Sequence, residues 1–343
     1  MTGPLEGLRF VEMAGIGPAP FAAMVLADLG ATGVRVEAPT TGLTVGDPAL
    51  DITRRGRPSR VINAREPSGR DEILDLVGQS DVLIEGFRPG VMERLGLGPQ
   101  VALTRNPRLV YGRITGWGQD GPWSQRAGHD ITYIALAGVL AHIGRRDAPP
   151  TVPLNLIGDY GGGAMLLVTG ILAALWEAGR TGYGQVIDAA MVDGAALMMS
   201  LMHSLRAGGS WSIERGVNLL DSGAPFYDAY RTADDRWLAV GCLEPKFFAE
   251  FIRILELDAA LCTRQYDPAC WEEMRSDFTR ILATRTQDAW MEAFAETDAC
   301  VAPILTMDQA PDHVHLRARG TFIEVDGVLQ PAPAPRFTRP TIP

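Results

Sequence analysis

The stretch that decides the fold is residues 8–37, L-R-F-V-E-M-A-G-I-G-P-A-P-F-A-A-M-V-L-A-D-L-G-A-T-G-V-R-V-E. Leu8–Met13 is short and apolar, which indicates a buried strand, and apolar side chains recur at helical spacing over residues 21–29. Glycines end this helix, and Val34–Val36 forms a second strand. A strand, a glycine turn, a helix and a strand within about thirty residues predict the βαβ unit of a parallel sheet.

The glycine turn matches a dinucleotide-binding fingerprint only in part. Gly15 and Gly17 stand at its first two glycine positions, but Pro20 occupies the third. Glu37, at the end of the second strand, could imitate the acid that binds a ribose. The incomplete motif is weak evidence for nicotinamide binding, and a tight strand-to-helix turn is the more economical interpretation.

The same alternation continues along the chain. Residues 81–85 indicate a buried strand that runs into G-F-R-P-G, and Arg108–Ile114 indicates another. Gly161–Gly163 is predicted to open a long helix through Glu177, and Gln185–Met191 follows as a strand. We therefore predict an α/β fold with a doubly wound, Rossmann-like large domain.

The second half of the chain has a different pattern. Tyr227–Arg231 and Trp237–Cys242 indicate a hairpin, and helices are predicted over Pro245–Leu255 and Trp271–Ala283, with Thr286 as a possible cap of another. This is typical of a smaller α+β domain. The predicted divisions are residues 1–190 for the large domain, 191–223 for a linker, 224–305 for the small domain, 306–317 for a second linker and 318–343 for a C-terminal return to the large domain.

Composition and charge exclude several classes of function. The chain has 343 residues and a formal net charge of −10, which makes it a poor general binder of nucleic acid. Its four cysteines form no C-x-x-C pair, so we expect reduced thiols and no metal site. The apolar stretch Ala164–Trp176 is judged too short to span a bilayer. We predict a cytoplasmic protein without a nucleic-acid or membrane partner.

Arginines cluster in spite of the acidic balance. A basic pocket for a phosphorylated ligand is compatible with this cluster, and so is a solvated basic loop. Gly86 and Arg88 follow a predicted strand, at the edge where open α/β sheets bind ligands. The clustered residues are Arg54, Arg55, Arg57, Arg60, Arg65, Arg88 and Arg94.

Residues 127–163 carry an imidazole and a carboxylate beside glycines. His129 is either a general acid or base that titrates near neutrality or a structural helix cap. Asp159 precedes Y-G-G-G; it is either a helix cap or a group beside backbone N–H donors that a small ligand can approach. Glu244 precedes Pro245, which is predicted to begin a helix. It is either an ordinary helix-start carboxylate or a partner of His129.

Seven motifs, spread over nearly the whole chain, together carry a family resemblance. They are G-P-L-E-G-L-R-F-V-E-M-A-G-I-G-P, L-I-E-G-F-R-P-G-V-M-E-R-L-G-L-G, T-G-W-G-Q-D-G-P, A-G-H-D-I-T-Y, N-L-I-G-D-Y-G-G-G, G-Q-V-I-D-A-A-M-V-D-G and D-A-C-V-A-P-I. With these motifs the chain resembles the class III CoA-transferase superfamily and, within it, the α-methylacyl-CoA racemases.

The resemblance implies a two-base reaction at the α-carbon of an acyl-CoA thioester. In such racemases a histidine and an aspartate act on opposite faces of that carbon, and they match His129 and Asp159. A glutamate that supports the histidine matches Glu244. CoA is part of the substrate, and no metal or redox cofactor is expected. The resemblance also implies an interlocked homodimer with each site between the large domain of one subunit and the small domain of the other.

The resemblance also implies a set of CoA contacts. The matching residues are Ile62, Asn63, Ala64, Arg65, Gly86, Phe87, Arg88, Arg94, Gly128, Asp130 and Tyr133. The chain departs from the family pattern at Ala38, where a basic residue is common, and at N-A-R in place of D-L-K over residues 63–65. These departures leave the individual phosphate contacts open.

Three rival functions remain open at this stage. In a class III CoA-transferase, Asp159 would be a nucleophile that forms acyl and CoA anhydrides. A non-catalytic acyl-CoA-binding protein and a nicotinamide oxidoreductase are the others. His129 and Glu244 favour the racemase, and the missing third glycine argues against the oxidoreductase.

Overall fold

The computed structural model describes residues 3–40 and 46–338, and the chain forms two compact units. Residues 1–2, 41–45 and 339–343, which fall in the predicted ranges 1–190 and 318–343, lie outside the described residues. The first unit comprises Met1–Val139, Pro153–Ser200 and Gly320–Pro343, and the second comprises Leu140–Val152 and Leu201–Arg319.

The first unit is built on a six-stranded, wholly parallel sheet. Its strands are β1 (Arg9–Met13), β2 (Thr32–Glu37), β3 (Ser59–Val61), β4 (Val82–Glu85), β5 (Val110–Thr115) and β6 (Val186–Ala190). The strand order β3-β2-β1-β4-β5-β6 is that of the dinucleotide-binding sheets, and it changes direction between β1 and β4. The predicted α/β fold is confirmed.

The central strands read as apolar runs because both of their faces are covered. All residues of β4 and β5 are buried, as expected for parallel strands between layers of helices. The helices of this unit are α1 (Pro18–Asp28), α2 (Pro67–Gly78), α3 (Val91–Arg94), α4 (Pro99–Arg105), α5 (Asp130–Leu136), a π-helix (Leu156–Met165), α6 (Leu166–Thr181) and α7 (Met191–Met198).

Two buried glutamates lie at the carboxyl ends of adjacent strands, each opposite an arginine. Glu12 of β1 pairs in register with Arg35 of β2 and forms an ion pair with it. Glu85 of β4 pairs in register with Arg113 of β5, 2.8 Å away. Both glutamates are fully buried. Neutralising each charge inside the sheet avoids an unpaired buried carboxylate.

The predicted start of the long helix is wrong. Gly161–Gly163 lies inside the π-helix, which begins five residues earlier at Leu156 and continues into α6. A Cβ atom on Gly162 would lie 2.6 Å from the backbone nitrogen of Ala195, and one on Gly194 would lie 1.8 Å from the carbonyl oxygen of Gly162. The glycines therefore allow the π-helix and α7 to touch backbone to backbone.

The resulting helical segment is longer than the sequence indicated. Leu156–Thr181 spans 26 residues and contains an 18-residue window with a mean hydropathy of 1.5, so by length and composition alone it could cross a membrane. The prediction that this stretch is too short is wrong because the helix includes the residues before the glycines. Leu167, Ile171 and Ala174 join the core with Phe10 and Val110 of the sheet, which is the position of a core helix.

The second unit contains a three-stranded antiparallel sheet in the order β7-β8-β9. Its strands are β7 (Tyr227–Arg231), β8 (Trp237–Gly241) and β9 (Val301–Ile304). The helices from residue 200 onward are α8 (Ser200–Ala207), α9 (Pro245–Ile254), α10 (Trp271–Leu282), α11 (Gln287–Phe294) and α12 (Val314–Arg319). The predicted hairpin is confirmed, and Thr286 caps α11 by accepting a hydrogen bond from the N–H of Ala289.

Residues 140–152 belong to the second unit through side chains that the sequence did not single out. Arg145 binds Asp228, with Nη2 2.6 Å from Oδ1. Arg215 donates to the carbonyl oxygens of Ala141 and Arg145 at 2.9 and 3.1 Å. Residues 140–152 are thus held by an ion pair and by hydrogen bonds from a side chain to their carbonyl oxygens.

The C-terminal segment forms a hairpin of β10 (Phe322–Val325) and β11 (Val328–Pro331) within the first unit. Arg55 donates to Gln330 Oε1 at 2.9 Å and to the carbonyl oxygen of Pro331 at 2.7 Å. Residues 191–223, predicted as a linker, include the helices α7 and α8. The remaining domain limits stay predictions.

Candidate active site

His129 stands at the start of α5 as its N-cap residue, with an exposed side chain. The backbone N–H of His129 donates to Thr132 Oγ1 at 3.1 Å, and that hydroxyl donates to the carbonyl oxygen of His129 at 2.7 Å. A Cβ atom on the preceding Gly128 would lie 2.6 Å from the ring of Tyr133 and 3.0 Å from that of Trp117. Glycine is therefore needed for the backbone that presents the imidazole.

Asp159 lies in the π-helix, with its backbone tied to the start of α5. Its N–H donates to Asp130 Oδ2 at 2.7 Å. Its own carboxylate accepts a hydrogen bond from Asn155 Nδ2 at 3.2 Å. On another side, a Cβ atom on Gly17 would lie 3.1 Å from Asp159 Oδ2, so the carboxylate packs against the start of α1.

The charges around Asp159 include that of the other predicted base, His129. Burial raises the pKa of Asp159, and the hydrogen bond from Asn155 opposes this shift. The charge of Asp130 raises the pKa further, and a positive charge on His129 lowers it. The structure therefore brings the imidazole and the carboxylate within electrostatic reach inside one unit.

Asp130 links these two groups physically. It follows His129 in sequence, and its carboxylate, which is 4% exposed, holds the N–H of Asp159. A Cβ atom on Gly158 would lie 2.8 Å from Asp130 Oδ2, so glycine makes room for this contact. Within residues 3–40 and 46–338, Asp130 Oδ1 is buried without a hydrogen-bond partner. A CoA contact was predicted for Asp130, and the structure shows its side chain turned inward.

Tyr133, one of the predicted CoA contacts, lies within electrostatic reach of Asp159. It is 6% exposed, and a Cβ atom on Gly116 would lie 2.0 Å from its ring, so the T-G-W-G loop leaves space for the phenol. Burial raises the pKa of Tyr133 to about 12, with the charges of Asp159 and Asp130 acting in the same direction. Arg88 lowers that pKa, which places its guanidinium near the same group.

The arginine cluster divides into structural members and members available to a ligand. Arg54, Arg55 and Arg57 are bound to Glu37, Asp28 and Glu12, so neither a solvated loop nor a phosphate pocket describes them. Arg60 is 3.8 Å from Glu72 at the surface. The structure gives no ion pair, in the part of the chain that it describes, for Arg65, Arg88 and Arg94.

Several of the predicted CoA contacts follow β3 and β4, two strands that are separated in the sheet by β2 and β1. Ile62–Arg65 comes after β3, with Ile62 buried and Asn63 Nδ2 donating to Glu66 Oε1 at 2.8 Å. Residues 86–88 come after β4, and the N–H of Phe87 donates to Glu85 Oε2 at 2.7 Å. Ala64 packs against the core, and Arg94 closes the short helix α3. Because β3 and β4 are parallel, their carboxyl ends lie at the same edge.

Glu244 lies in the second unit. It is the exposed N-cap residue of α9, and Phe247 and Phe248 donate their N–H groups to its carbonyl oxygen at 3.0 Å each. Burial raises the pKa of the Cys300 thiol, and the charge of Glu244 raises it further. The role of Glu244 as a partner of His129 stays a prediction.

Sequence reasoning missed the residues that contact the Asp159 carboxylate directly. Asn155 precedes Asp159 by four positions, a spacing that places two side chains together on a helix, so N-L-I-G-D carried a usable signal. Gly17 was interpreted as part of a tight turn or of an incomplete dinucleotide-binding fingerprint, and no local pattern indicates its contact with a residue more than a hundred positions away.

A family model, "CoA-transferase family III", matches residues 5–341. Two curated relatives bear the name "Alpha-methylacyl-CoA racemase". The one from Mus musculus is 44% identical and the one from Homo sapiens 43%, each over 99% of this chain and 88% of the relative. "Acetyl-CoA:oxalate CoA-transferase" of Acetobacter aceti is 30% identical over 96% of this chain and 88% of its own length.

Solved structures agree with this assignment of similarity. A "CAIB/BAIF family protein" from Brucella suis superposes with a TM-score of 0.82 at 26% identity, covering 98% of this chain and 93% of the other. The crystal structure of Rv3272 from M. tuberculosis gives a TM-score of 0.80 at 26% identity, covering 98% and 94%. Both similarities extend over the whole fold.

Proposed function

Because this chain belongs to CoA-transferase family III, we infer that it binds acyl-CoA thioesters, and that it epimerises the α-carbon of 2-methyl-branched acyl groups as an α-methylacyl-CoA racemase. The observation that carries this conclusion is the identity of 44% and 43% with two curated racemases over 99% of the chain. The enzyme is thus an isomerase, a 2-methylacyl-CoA 2-epimerase.

We assign His129 and Asp159 as the two bases. One removes the α-proton, which leaves an enolate of the thioester, and the other returns a proton to the opposite face. Such a pair works when one group is protonated while the other is not, so their proton affinities must lie close together. Burial supports this role, since it raises the pKa of Asp159 towards that of an imidazole.

The enolate oxygen needs hydrogen-bond donors. The sequence suggested the N–H groups around Asp159–Gly161, but the N–H of Asp159 is engaged by Asp130, so that donor is not free. The first N–H groups of α5, those of Asp130 and Ile131, are the alternative donors, because a helix start leaves its first donors without intrahelical acceptors. We propose that they stabilise the negative oxygen beside His129.

The CoA moiety carries phosphates, for which guanidinium groups are suitable partners. Arg65, Arg88 and Arg94 are the proposed contacts, because they remain after the arginines paired with Glu12, Asp28, Glu37 and Glu72 are set aside. The charges of Arg88 and Asp159 both change the pKa of Tyr133, Arg88 lowering it and Asp159 raising it. We therefore propose that Arg88 binds CoA on the side nearest the two bases.

We further propose that two copies of the chain form an interlocked dimer, in which Glu244 of one subunit supports His129 of the other. The support is the family resemblance together with six exposed apolar side chains on and beside the helices of the first unit, where an exposed apolar surface marks an interaction site. This exposed apolar set is Leu154, Leu156, Met165, Trp176, Leu197 and Met198.

An exchange experiment tests the proposed reaction. The protein is incubated in D2O with a single epimer of a 2-methylacyl-CoA and with no acceptor acid. We expect one deuterium at the α-carbon and loss of optical purity, since the proton returned to the substrate comes from solvent-exchanged side chains. Mass spectrometry and chiral analysis of the acyl group measure both.

Two variants provide the controls. His129→Ala and Asp159→Asn should each lower epimerisation by roughly 10²-fold or more, because each removes an acid–base group. Binding of the thioester should persist in both, which separates catalysis from simple binding. Strict dependence on a second carboxylic acid, without α-exchange, would instead identify a CoA-transferase in which Asp159 is the nucleophile.

A further inference from the structure

The turn between β1 and α1 forms one wall around the Asp159 carboxylate. Gly17 caps α1 with φ +70° and ψ −119°, and a Cβ atom on it would lie 3.1 Å from Asp159 Oδ2. Phe21, in the first turn of α1, stacks on Tyr160 with ring centroids 4.2 Å apart. The start of α1 is thus in contact with the residue to which we assign a proton-transfer role.

The start of α1 lacks most of the donors that a helix usually offers. The first N–H groups of a helix have no intrahelical acceptor and commonly bind anions. Here the helix begins P-A-P, and Pro18 and Pro20 have no N–H. Ala19 alone retains a donor among the first three helical residues. A carboxylate at this helix start therefore has little backbone solvation.

Buried ion pairs hold this turn at both ends. Arg35 donates to the carbonyl oxygen of Gly15 at 3.1 Å, and Arg57 donates to that of Pro20 at 3.0 Å. Both arginines bind the same carboxylate, Glu12, which is fully buried. The turn that packs against Asp159 is therefore held at both ends by hydrogen bonds from these two arginines.

We propose that Pro18 and Pro20 are positioning residues that keep Asp159 able to carry a proton, because they withhold amide donors from its carboxylate. The proposal rests on the proposed function, in which Asp159 delivers a proton to one face of the α-carbon. A carboxylate that accepts backbone N–H bonds is held in its charged form. With those donors missing, burial dominates and raises the pKa of Asp159.

Other groups around Asp159 set the background for this effect. Of those on the elements packed against the π-helix, Asp130 raises the pKa of Asp159 and a positive His129 lowers it. Asn155 within the π-helix also lowers it. The remaining charged or titratable groups on these elements are Tyr133 of α5, Asp28 at the far end of α1, Glu177 and Arg180 of α6, Asp193 of α7, Tyr111 and Arg113 of β5 and Asp188 of β6.

The test is the pH dependence of kcat/KM for epimerisation of a single-epimer 2-methylacyl-CoA. Pro18→Ala, Pro20→Ala and the double variant restore N–H donors without adding a charge. We expect the alkaline limb of the profile, taken in the direction in which Asp159 delivers the proton, to move to lower pH by roughly half a unit to one unit, and further in the double variant, because a new donor favours the carboxylate. Pro99→Ala, at the first position of α4, is the matched control and should leave the limb in place.

The outcomes separate the two levels of the argument. An alkaline limb unchanged in all three active variants would overturn the role of the prolines, even if the plateau rate falls through loss of packing. A wild-type protein without α-exchange would instead overturn the proposed function. Thermal unfolding of each variant confirms that the profile is measured on folded protein. If the limb moved as far in Pro99→Ala as in Pro20→Ala, the proposal would also be contradicted. The helix whose start packs against the Asp159 carboxylate is α1, whereas Pro99 begins α4.

Discussion

At the scale of single residues, the site is defined by short polar contacts around two side chains. Asp130 joins His129 to Asp159 by sequence on one side and by a 2.7 Å hydrogen bond on the other. Asp159 is thereby fixed in a place where burial disfavours its charge. This carboxylate, to which we assign a catalytic role, works against stability, because folding must remove it from water.

We expect Asp159→Asn to raise the thermal midpoint of unfolding at neutral pH. The pKa of Asp159 is raised in the folded state, so the stability that its protonated form contributes is present below the unfolded pKa of about 3.9 and is lost as the pH rises through the folded pKa. Asparagine has no such loss. The gain over wild type should therefore grow with pH and vanish at about pH 4 and below.

Calorimetry between about pH 3.5 and about pH 8 measures this difference, because the range spans the pKa of an unfolded aspartate and neutral pH. Asp308→Asn, which changes an exposed carboxylate, is the control and should give no comparable pH-dependent gain. A wild-type protein more stable than Asp159→Asn at neutral pH would contradict the expectation.

At the scale of elements, local signals predicted helices well where caps and prolines mark them. α9 begins at Pro245 and α11 follows Thr286, as the sequence indicated. The start of the π-helix was missed because Asn155 directs its amide to the Asp159 carboxylate and makes no cap hydrogen bond. Contacts between elements, such as that of Gly162 with Gly194, depend on the fold and leave no local signal.

Arg113 is the residue on which the loop after β4 depends. It binds Glu85, which in turn accepts the N–H of Phe87, and it reaches Glu93 of α3 at 2.8 Å. We expect Arg113→Leu to lower the free energy of unfolding by about 3–5 kcal/mol, because it leaves Glu85 buried without its partner. Denaturant titration measures the loss.

The control for this change is a surface ion pair. Arg105 lies 2.7 Å from Asp75, and both side chains are more than half exposed. Arg105→Leu should cost no more than about 1 kcal/mol, the upper range for exposed pairs. Equal losses in the two variants would show that the buried pair has no special weight.

At the scale of the whole molecule, the fold class followed from the sequence because hydrophobic periodicity is local and the βαβ alternation is regular. The division into units was harder to predict. Residues 140–152 join the second unit through Asp228 and Arg215, which are distant in sequence. The family resemblance supplied His129, Asp159 and Glu244 together, whereas each had a purely structural interpretation by itself.

The proposed dimer is tested at Trp176, whose side chain on α6 is 72% exposed. Trp176→Glu should shift the protein towards monomer, since burying an unpaired carboxylate at an interface is costly. Sedimentation velocity measures the change in mass. Val101→Glu places the same charge on an exposed apolar position of α4 and should leave the dimer intact. A wild-type monomer at micromolar concentration would contradict the proposal.

The paired glutamates of β1 and β4 have a consequence for how the sheet can be dissected. In each half of the sheet, the innermost strand carries a buried glutamate near its carboxyl end, opposite an arginine on the next strand outward. The two halves therefore repeat one electrostatic unit on either side of the boundary between β1 and β4. Each half of the sheet can therefore serve as the control for the other. A substitution in the Glu12 pair and the same substitution in the Glu85 pair alter equivalent positions. A difference between the two losses of stability measures the contribution of the loops next to each pair.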